Sequence, residues 1–122
     1  MTTGVAYFVA KNFAGGGNKK SVEVQNYITY DAGEFLTNLA DKGYIKLSLV
    51  YLLNNRDAEK ELEFKDSEIR DKIFAILRSK KHDLVKDNKG MEELRGQIKE
   101  ALNETLSNGS INDVYFTSII VN

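Results

Sequence analysis

The segment YIKLSLVYLLN, residues 44–54, decides the fold of this chain. Apolar side chains alternate strictly with other residues from Ile45 to Leu53, and a period of two places them on one face of a β-strand. Val50 and Leu52 make the second face apolar at the far end of the segment. We therefore expect a well-defined strand whose far end is covered on both sides.

Upstream of this strand, the sequence predicts two shorter extended segments. Residues 24–30 are rich in β-branched and aromatic side chains, and residues 34–40 form a second segment. Asp31-Ala32-Gly33 is predicted to break the chain between them. Asp41-Lys42-Gly43 is a turn sequence that leads into the long strand.

Downstream of the strand, the hydrophobic period becomes that of an α-helix. Asp57 is predicted to cap a short helix that runs through Phe64, and Asp66 is predicted to cap a second helix. Asp83-Leu84-Val85 is predicted to form a single turn. The apolar stripe of the second helix, with i, i+4, i+7 and i+8 spacing, consists of Ile69, Ile73, Ile76 and Leu77.

A third helix is predicted to open at Asp87 or Asn88 and to end at Asn108-Gly109, with Gly109 as a left-handed closing residue. Gly96 lies inside this helix at a cost of about 1 kcal/mol relative to alanine. A last strand is predicted over residues 114–121. The core face of the third helix consists of Met91, Leu94, Ile98, Ala101, Leu102 and Leu106.

This order of elements predicts an α+β fold, with a small mixed sheet and helices packed on one face. A length of 122 residues fits one domain, and the absence of cysteine excludes disulfides and thiol chemistry. The formal charge of -1, from 17 basic and 18 acidic residues, offers no general attraction for nucleic acid. We therefore expect no nucleic-acid partner.

The amino-terminal residues allow two interpretations. Residues 5–10 are apolar but too few to span a bilayer, and they lack the pattern of a signal peptide. They form either an amino-terminal strand or the outer end of a membrane anchor. The run AGGGNKK that follows, residues 14–20, is typical of a flexible linker, and no GK[ST] follows it as a phosphate loop requires.

Residues that could carry chemistry are few. His82 lies in the charged segment KKHD and is predicted to be solvated surface, and no ligand set for zinc accompanies it. Glu59, Glu61 and Glu63 are interpreted as a solvated helix face. The acids and the glycine of residues 83–90 miss the positions that a calcium loop needs. We expect no enzyme activity, no cofactor and no metal.

Several short motifs occur in a specific order along the carboxy-terminal part of the chain, and together they resemble the extracytoplasmic domain of the FliL family of flagellar basal body-associated membrane proteins. Any single motif is weak, and the order and spacing carry the resemblance. The last four residues, 119–122, differ from the family pattern, but the side chains present remain suited to a strand. The motifs are Phe35-Leu36-Thr37-Asn38-Leu39, Ile69-Arg70-Asp71, Ser79-Lys80-Lys81, Gly90 with Leu94, Asn103 with Leu106, and Asp113-Val114-Tyr115-Phe116-Thr117.

The resemblance implies a fold similar to the stomatin or SPFH domain, and ring-like homo-oligomers around the flagellar stator proteins MotA and MotB. It implies that residues 1–13 are the outer end of a truncated anchor in the inner membrane, residues 14–21 a linker, and residues 22–122 a domain on the periplasmic side. An SPFH-like membrane scaffold outside the flagellum is the alternative.

Three aromatic residues close to the tether are the candidates for partner contact: Phe13, Tyr27 and Tyr30. Core packing of the two tyrosines is the competing interpretation. On the flagellar hypothesis, the ring holds the plug or linker region of MotB in its open form.

Overall fold

A computed structural model describes residues 27–122, which form three strands and four helices. The predicted anchor (1–13) and linker (14–21) lie outside the described residues. Within the described part, no helix combines the length and apolarity needed to cross a bilayer. The elements are β1 (Ile28–Asn38), β2 (Tyr44–Leu53), α1 (Arg56–Phe64), α2 (Asp66–Arg78), α3 (His82–Val85), α4 (Asn88–Thr105) and β3 (Ile111–Val121).

The three strands form one sheet in the order β1-β2-β3. The predicted α+β class is confirmed. Both pairings are antiparallel, so the sheet of the described residues is not mixed in strand direction. The helices return the chain to the end of β2 at which it left the sheet: Ile111, at the start of β3, lies opposite Leu53.

The central strand β2 has the predicted alternation. On the inner face of β2, Tyr51, Leu53 and the alternate residues before them are buried, and the helices cover that face. On its outer face Leu52 is only 7% exposed, which confirms the prediction of a far end covered on both sides. The buried inner-face residues are Ile45, Leu47, Leu49, Tyr51 and Leu53.

The predicted break at residues 31–33 is wrong, because β1 runs through it as one strand. The register against β2 shifts between Asp31 and Gly33, which marks a β-bulge. Gly33 has a φ of +83°, a conformation that glycine adopts without a steric penalty. The Asp31 carboxylate accepts a hydrogen bond from the Gly33 N–H at 2.9 Å and stabilises the bulge.

Both predicted caps of the first two helices are wrong, while the helices themselves are confirmed. The cap of α1 is Asn55, whose side-chain oxygen accepts a hydrogen bond from the Ala58 N–H at 2.8 Å. Only Lys65 separates α1 from α2, so Asp66 is already helical. There its carboxylate interacts favourably with the positive end of the helix dipole.

The inner face of the sheet is covered by the predicted helix stripes. Ile76, Met91 and Ala101 are only half-buried, and Val85 anchors the single turn α3. These side chains form one hydrophobic cluster with the sheet, and such a cluster is the main source of stability in a domain of this size. The buried residues of the stripes of α2 and α4 are Ile69, Ile73, Leu77, Leu94, Ile98 and Leu102.

The end of α4 and the start of β3 differ from the prediction. Gly109 is not left-handed, and a Cβ added there would lie 2.6 Å from the Cβ of Ala58, so glycine allows the loop to approach α1. β3 begins at Ile111 rather than Val114, because the Asn103 side chain accepts from the Ile111 N–H at 2.6 Å and donates to its carbonyl at 3.3 Å. These two bonds extend the ordered strand toward α4.

Two glycines of α4 have opposite surroundings, and their alanine variants should have opposite effects on stability. A Cβ at Gly90 would clash with the carbonyl group of Leu84, so we expect Gly90→Ala to lower the free energy of unfolding by about 1 kcal/mol or more. A Cβ at Gly96 meets nothing within 4 Å, so we expect Gly96→Ala to raise it by about 0.5–1 kcal/mol. Urea denaturation of both variants measures the difference, and equal stabilities would contradict the close approach of α3 to α4.

Candidate functional site

Most of the exposed large apolar side chains of the described residues lie on two separate surfaces. One, the Phe64 cleft, lies beside the end of α1. The other, the outer patch, comprises Leu36, Tyr44, Lys46 and Ile120 on the face of the sheet opposite the helices. Exposed apolar groups that lie together mark interaction sites more often than scattered ones do.

Phe64 is the most exposed large apolar residue of the described chain, at 87%. The buried face of α1 contains Ala58, Glu61 and Leu62. Each helical residue rotates about 100° from the last, so Phe64 lies roughly opposite Leu62 and points away from the core. Residues from α1 and from the loop before β3 line an open cleft of about 580 Å³ at its side: Asp57, Lys60, Glu61, Phe64, Lys65, Ser107 and Asn108.

Glu61 holds the floor of this cleft together. Its carboxylate accepts hydrogen bonds from the N–H groups of Ser107 at 2.7 Å and Asn108 at 2.8 Å, and pairs with the ammonium of Lys65 at 2.9 Å. The Asn108 N–H and then the Lys65 side chain hold the pKa of Glu61 down at about 2. The predicted solvated position is therefore wrong for Glu61, which is 8% exposed.

Lys65 extends the same network to α4, because its ammonium also donates to the carbonyl of Thr105 at 2.8 Å. One carboxylate and one ammonium thus join the last turn of α1 to the end of α4 and to the following loop. The side chain of Phe64 therefore projects from a helix end that is held on two sides. Nothing in the local sequence indicates this network, since the partners of Glu61 lie 46 and 47 residues away.

The outer patch crosses all three strands. Leu36 lies opposite Lys46, and Lys46 lies opposite Ile120, so the three side chains form one row on the outer face. Tyr44 is the neighbour of Lys46 on the same face of β2, and it helps to line a shallow cleft of about 450 Å³. Lys46 pairs with Glu34 at 3.5 Å, and an exposed pair of this kind contributes little to stability. The patch is an amphipathic surface that no described helix covers.

The predicted contact residues have different positions. Phe13 lies outside the described residues. Tyr30 stacks on Tyr51 with ring centroids 5.9 Å apart, on the inner face of the sheet, and burial raises its pKa. Tyr27 is half-buried just before β1 and lies near Tyr115, whose pKa is raised by burial first, then by Asp113 and by Tyr27. Their role in partner binding stays a prediction.

His82 is not solvated as predicted, since its side chain is 14% exposed. Its backbone N–H donates to the Asp41 carboxylate at 2.8 Å and ties the start of α3 to the turn between β1 and β2. This hydrogen bond is the main reason that the pKa of Asp41 is lowered. Among residues 27–122, no three histidine, cysteine, aspartate or glutamate side chains are grouped to hold a metal ion.

Comparison with known proteins identifies relatives over nearly all of the described residues. The family model of the "Flagellar basal body-associated protein FliL" matches residues 29–121. The flagellar protein FliL of Bacillus subtilis is 28% identical over 100 residues, which cover 82% of this chain and 71% of that protein. The flagellar protein FliL of Aquifex aeolicus is 31% identical over 90 residues, which cover 71% of this chain and 56% of that protein. These matches confirm the resemblance drawn from the motifs.

The buried carboxylate predicts a specific loss of stability in acid. Because the pKa of Glu61 is lowered to about 2, its contribution is complete above its unfolded pKa, near 4.3, and is lost as the pH falls to about 2. We expect Glu61→Gln to lower the free energy of unfolding by about 2 kcal/mol at pH 7 and by much less at pH 2. Urea denaturation at both values measures this change. Glu63→Gln, on the exposed face of α1, is the control and should change stability little at either pH.

Proposed function

The chain belongs to the FliL family of flagellar basal body-associated proteins, and from this premise we propose that it is a non-catalytic protein that assembles around the stator units and supports them. In this proposal the domain lies on the periplasmic side of the inner membrane. Residues 1–13 are the outer end of its membrane anchor, and residues 14–21 form a flexible linker between the anchor and the domain. Its effect is on torque and therefore on motility.

The observation that carries the proposal is the exposure of Phe64 beside an open cleft. An aromatic side chain that is 87% exposed leaves a large apolar area in water. Aromatic anchors that enter a partner's pocket supply much of the affinity of protein interfaces. The network of Glu61 and Lys65 holds the helix end before binding, which reduces the entropy lost when a partner docks.

The partner we propose for this surface is the plug or linker region of MotB. Phe64 inserts into that region and favours its open form, while Lys60 and Asp57 at the rim of the cleft offer polar contacts. Phe13, Tyr27 and Tyr30 remain proposed contacts closer to the membrane. A likeness of the fold to the SPFH domain also stays a prediction.

Self-association is the second part of the proposal. Copies of the domain form a ring-like homo-oligomer beside the membrane, and the ring presents several Phe64 clefts to the stator. Multiple weak contacts of this kind raise the overall affinity without any single strong site. A general membrane scaffold outside the flagellum is disfavoured, because both curated relatives are flagellar proteins by name.

Truncation of the exposed aromatic tests the proposal. We expect Phe64→Ser in the full-length protein to reduce swimming in viscous medium, where the load on the motor is high, and to reduce cross-linking to MotB several-fold. The fold should be retained, because Phe64 makes no contribution to the buried cluster. Swimming-speed measurements and cross-linking in cells provide the two readouts.

Leu84→Ser is the matched control, since Leu84 is 49% exposed on α3, away from the residues that line the cleft. It should leave motility and cross-linking unchanged. Normal motility and normal cross-linking to MotB in the Phe64→Ser strain, at wild-type protein levels, would refute the proposed role of the cleft.

A further inference from the structure

The loop between α4 and β3, residues 106–110, contains the only asparagine of the chain that is followed by glycine, Asn108-Gly109. An asparagine side chain is open to attack by the backbone nitrogen of the next residue. Glycine favours this attack because it has no side chain to obstruct the approach and its backbone adopts more conformations. The reactivity of Asn108 therefore depends on how the fold holds these two residues.

The fold leaves both reacting groups free. Asn108 is exposed, and its side-chain amide makes no hydrogen bond within residues 27–122. Over the same residues, the N–H of Gly109 donates to no acceptor. A backbone N–H that is bonded in a helix or a sheet must be released before its nitrogen can react, and release requires local unfolding. At Asn108-Gly109 no such bond has to break.

Two other asparagines are held differently and provide internal references. The side chain of Asn103 bonds both the N–H and the carbonyl of Ile111, and the residue lies inside α4. The side chain of Asn55 accepts a hydrogen bond from the Ala58 N–H and caps α1. Each of these side chains is engaged in a contact that the fold needs, so neither is free to turn toward the backbone.

We propose that Asn108 is a site of spontaneous deamidation. The Gly109 nitrogen forms a bond to Cγ of Asn108, and the C–N bond of the side-chain amide breaks. The proton of the Gly109 N–H leaves with the amide nitrogen as ammonia, and a succinimide ring remains. Water then opens the ring at either of its C–N bonds and yields aspartate or isoaspartate. Water is the only co-reactant, and no atom is oxidised or reduced.

The reaction adds a carboxylate beside Glu61. The N–H groups of Ser107 and Asn108 donate to the Glu61 carboxylate at 2.7 Å and 2.8 Å, so the new charge appears on a residue that is already bonded to Glu61. Like charges disfavour the ionised form of each other, and the ionised form of Glu61 is the one that accepts these bonds. Deamidation therefore weakens the floor of the Phe64 cleft.

Isoaspartate also changes the length of the main chain, because it inserts a methylene between positions 108 and 109. On one side of this point, Glu61 holds the N–H groups of Ser107 and Asn108. On the other side, Gly109 packs so closely on α1 that an added Cβ would lie 2.6 Å from the Cβ of Ala58. The longer chain cannot keep both contacts in place, so isoaspartate separates the loop from α1.

The same network controls the rate of the reaction. Ring closure requires rotation about the backbone and side-chain bonds of Asn108 until Cγ meets the Gly109 nitrogen. The hydrogen bonds to Glu61 restrict that rotation on the amino-terminal side of Asn108. Loss of these bonds should therefore accelerate deamidation. The inference goes beyond the proposed function, because it requires neither a stator partner nor a ring of copies.

Peptide mapping by mass spectrometry tests the site directly. Purified protein is incubated for several weeks at mildly alkaline pH, and conversion of Asn108 is compared with conversion of Asn55 and Asn103. We expect Asn108 to convert at least about tenfold faster than either reference, with isoaspartate among the products. Asn108→Gln should remain unmodified at this position, because its longer side chain would have to close a larger ring. No conversion at Asn108, or equal conversion at the three asparagines, would overturn the proposal.

Two destabilised variants separate local control from general unfolding. Glu61→Gln and Gly90→Ala both lower the stability of the fold, but only Glu61 contacts the loop. We expect Glu61→Gln to accelerate deamidation of Asn108 roughly tenfold, and Gly90→Ala to leave the rate within about twofold of the wild type. Equal acceleration in the two variants would refute control by the Glu61 network.

The effect of the product is measured on Asn108→Asp, with Asn108→Ser as the uncharged control. We expect a lower urea midpoint for Asn108→Asp at neutral pH, where both carboxylates are ionised. The difference should disappear in strong acid, because protonation of the two carboxyl groups removes their repulsion. Equal midpoints of the two variants at neutral pH would refute the coupling between position 108 and Glu61.

Discussion

The fold depends on the burial of one face of β2 in the centre of the sheet. The strand receives backbone hydrogen bonds from β1 on one side and β3 on the other, so its polar groups are paired while its alternate side chains are removed from water. The helices have a place in the molecule because they cover this face. Placing β2 in the centre also leaves two edges, on β1 and β3, and much of the remaining structure serves to cover them.

Helix side chains perform that task, and two of them belong to the motifs by which the family is recognised. Arg70 covers β1, and Asn103 holds the start of β3. Gly90, from another motif, allows α3 and α4 to approach each other closely. These motifs therefore identify the family through contacts that hold the fold. Phe64, which carries the proposed binding to the stator, lies outside those motifs, whereas Leu36 of the outer patch belongs to one of them.

The two exposed surfaces have different physical origins. Phe64 is exposed because the opposite side of the short helix α1 packs into the core. The network around Glu61 keeps the end of this helix in place. The outer patch is exposed because every described helix lies on the inner face of the sheet. The two surfaces therefore lie on different elements, one on α1 and the other on the outer face of the sheet.

The sequence by itself determined what local periodicity encodes: the buried face of β2, the stripes of α2 and α4, and the α+β class. The early start of β3 required the tertiary structure, since it depends on the side chain of Asn103 in α4, whereas the cap at Asn55 and the bulge at Gly33 rest on local hydrogen bonds that hydrophobic periodicity does not report. The same holds for the site. The position of Phe64 at the end of a helix was predictable, but the burial of Glu61 was not, because its hydrogen-bond partners lie 46 and 47 residues away. Periodicity reports which face of an element is apolar, whereas polar satisfaction depends on which distant backbone groups the folded chain brings within hydrogen-bonding distance.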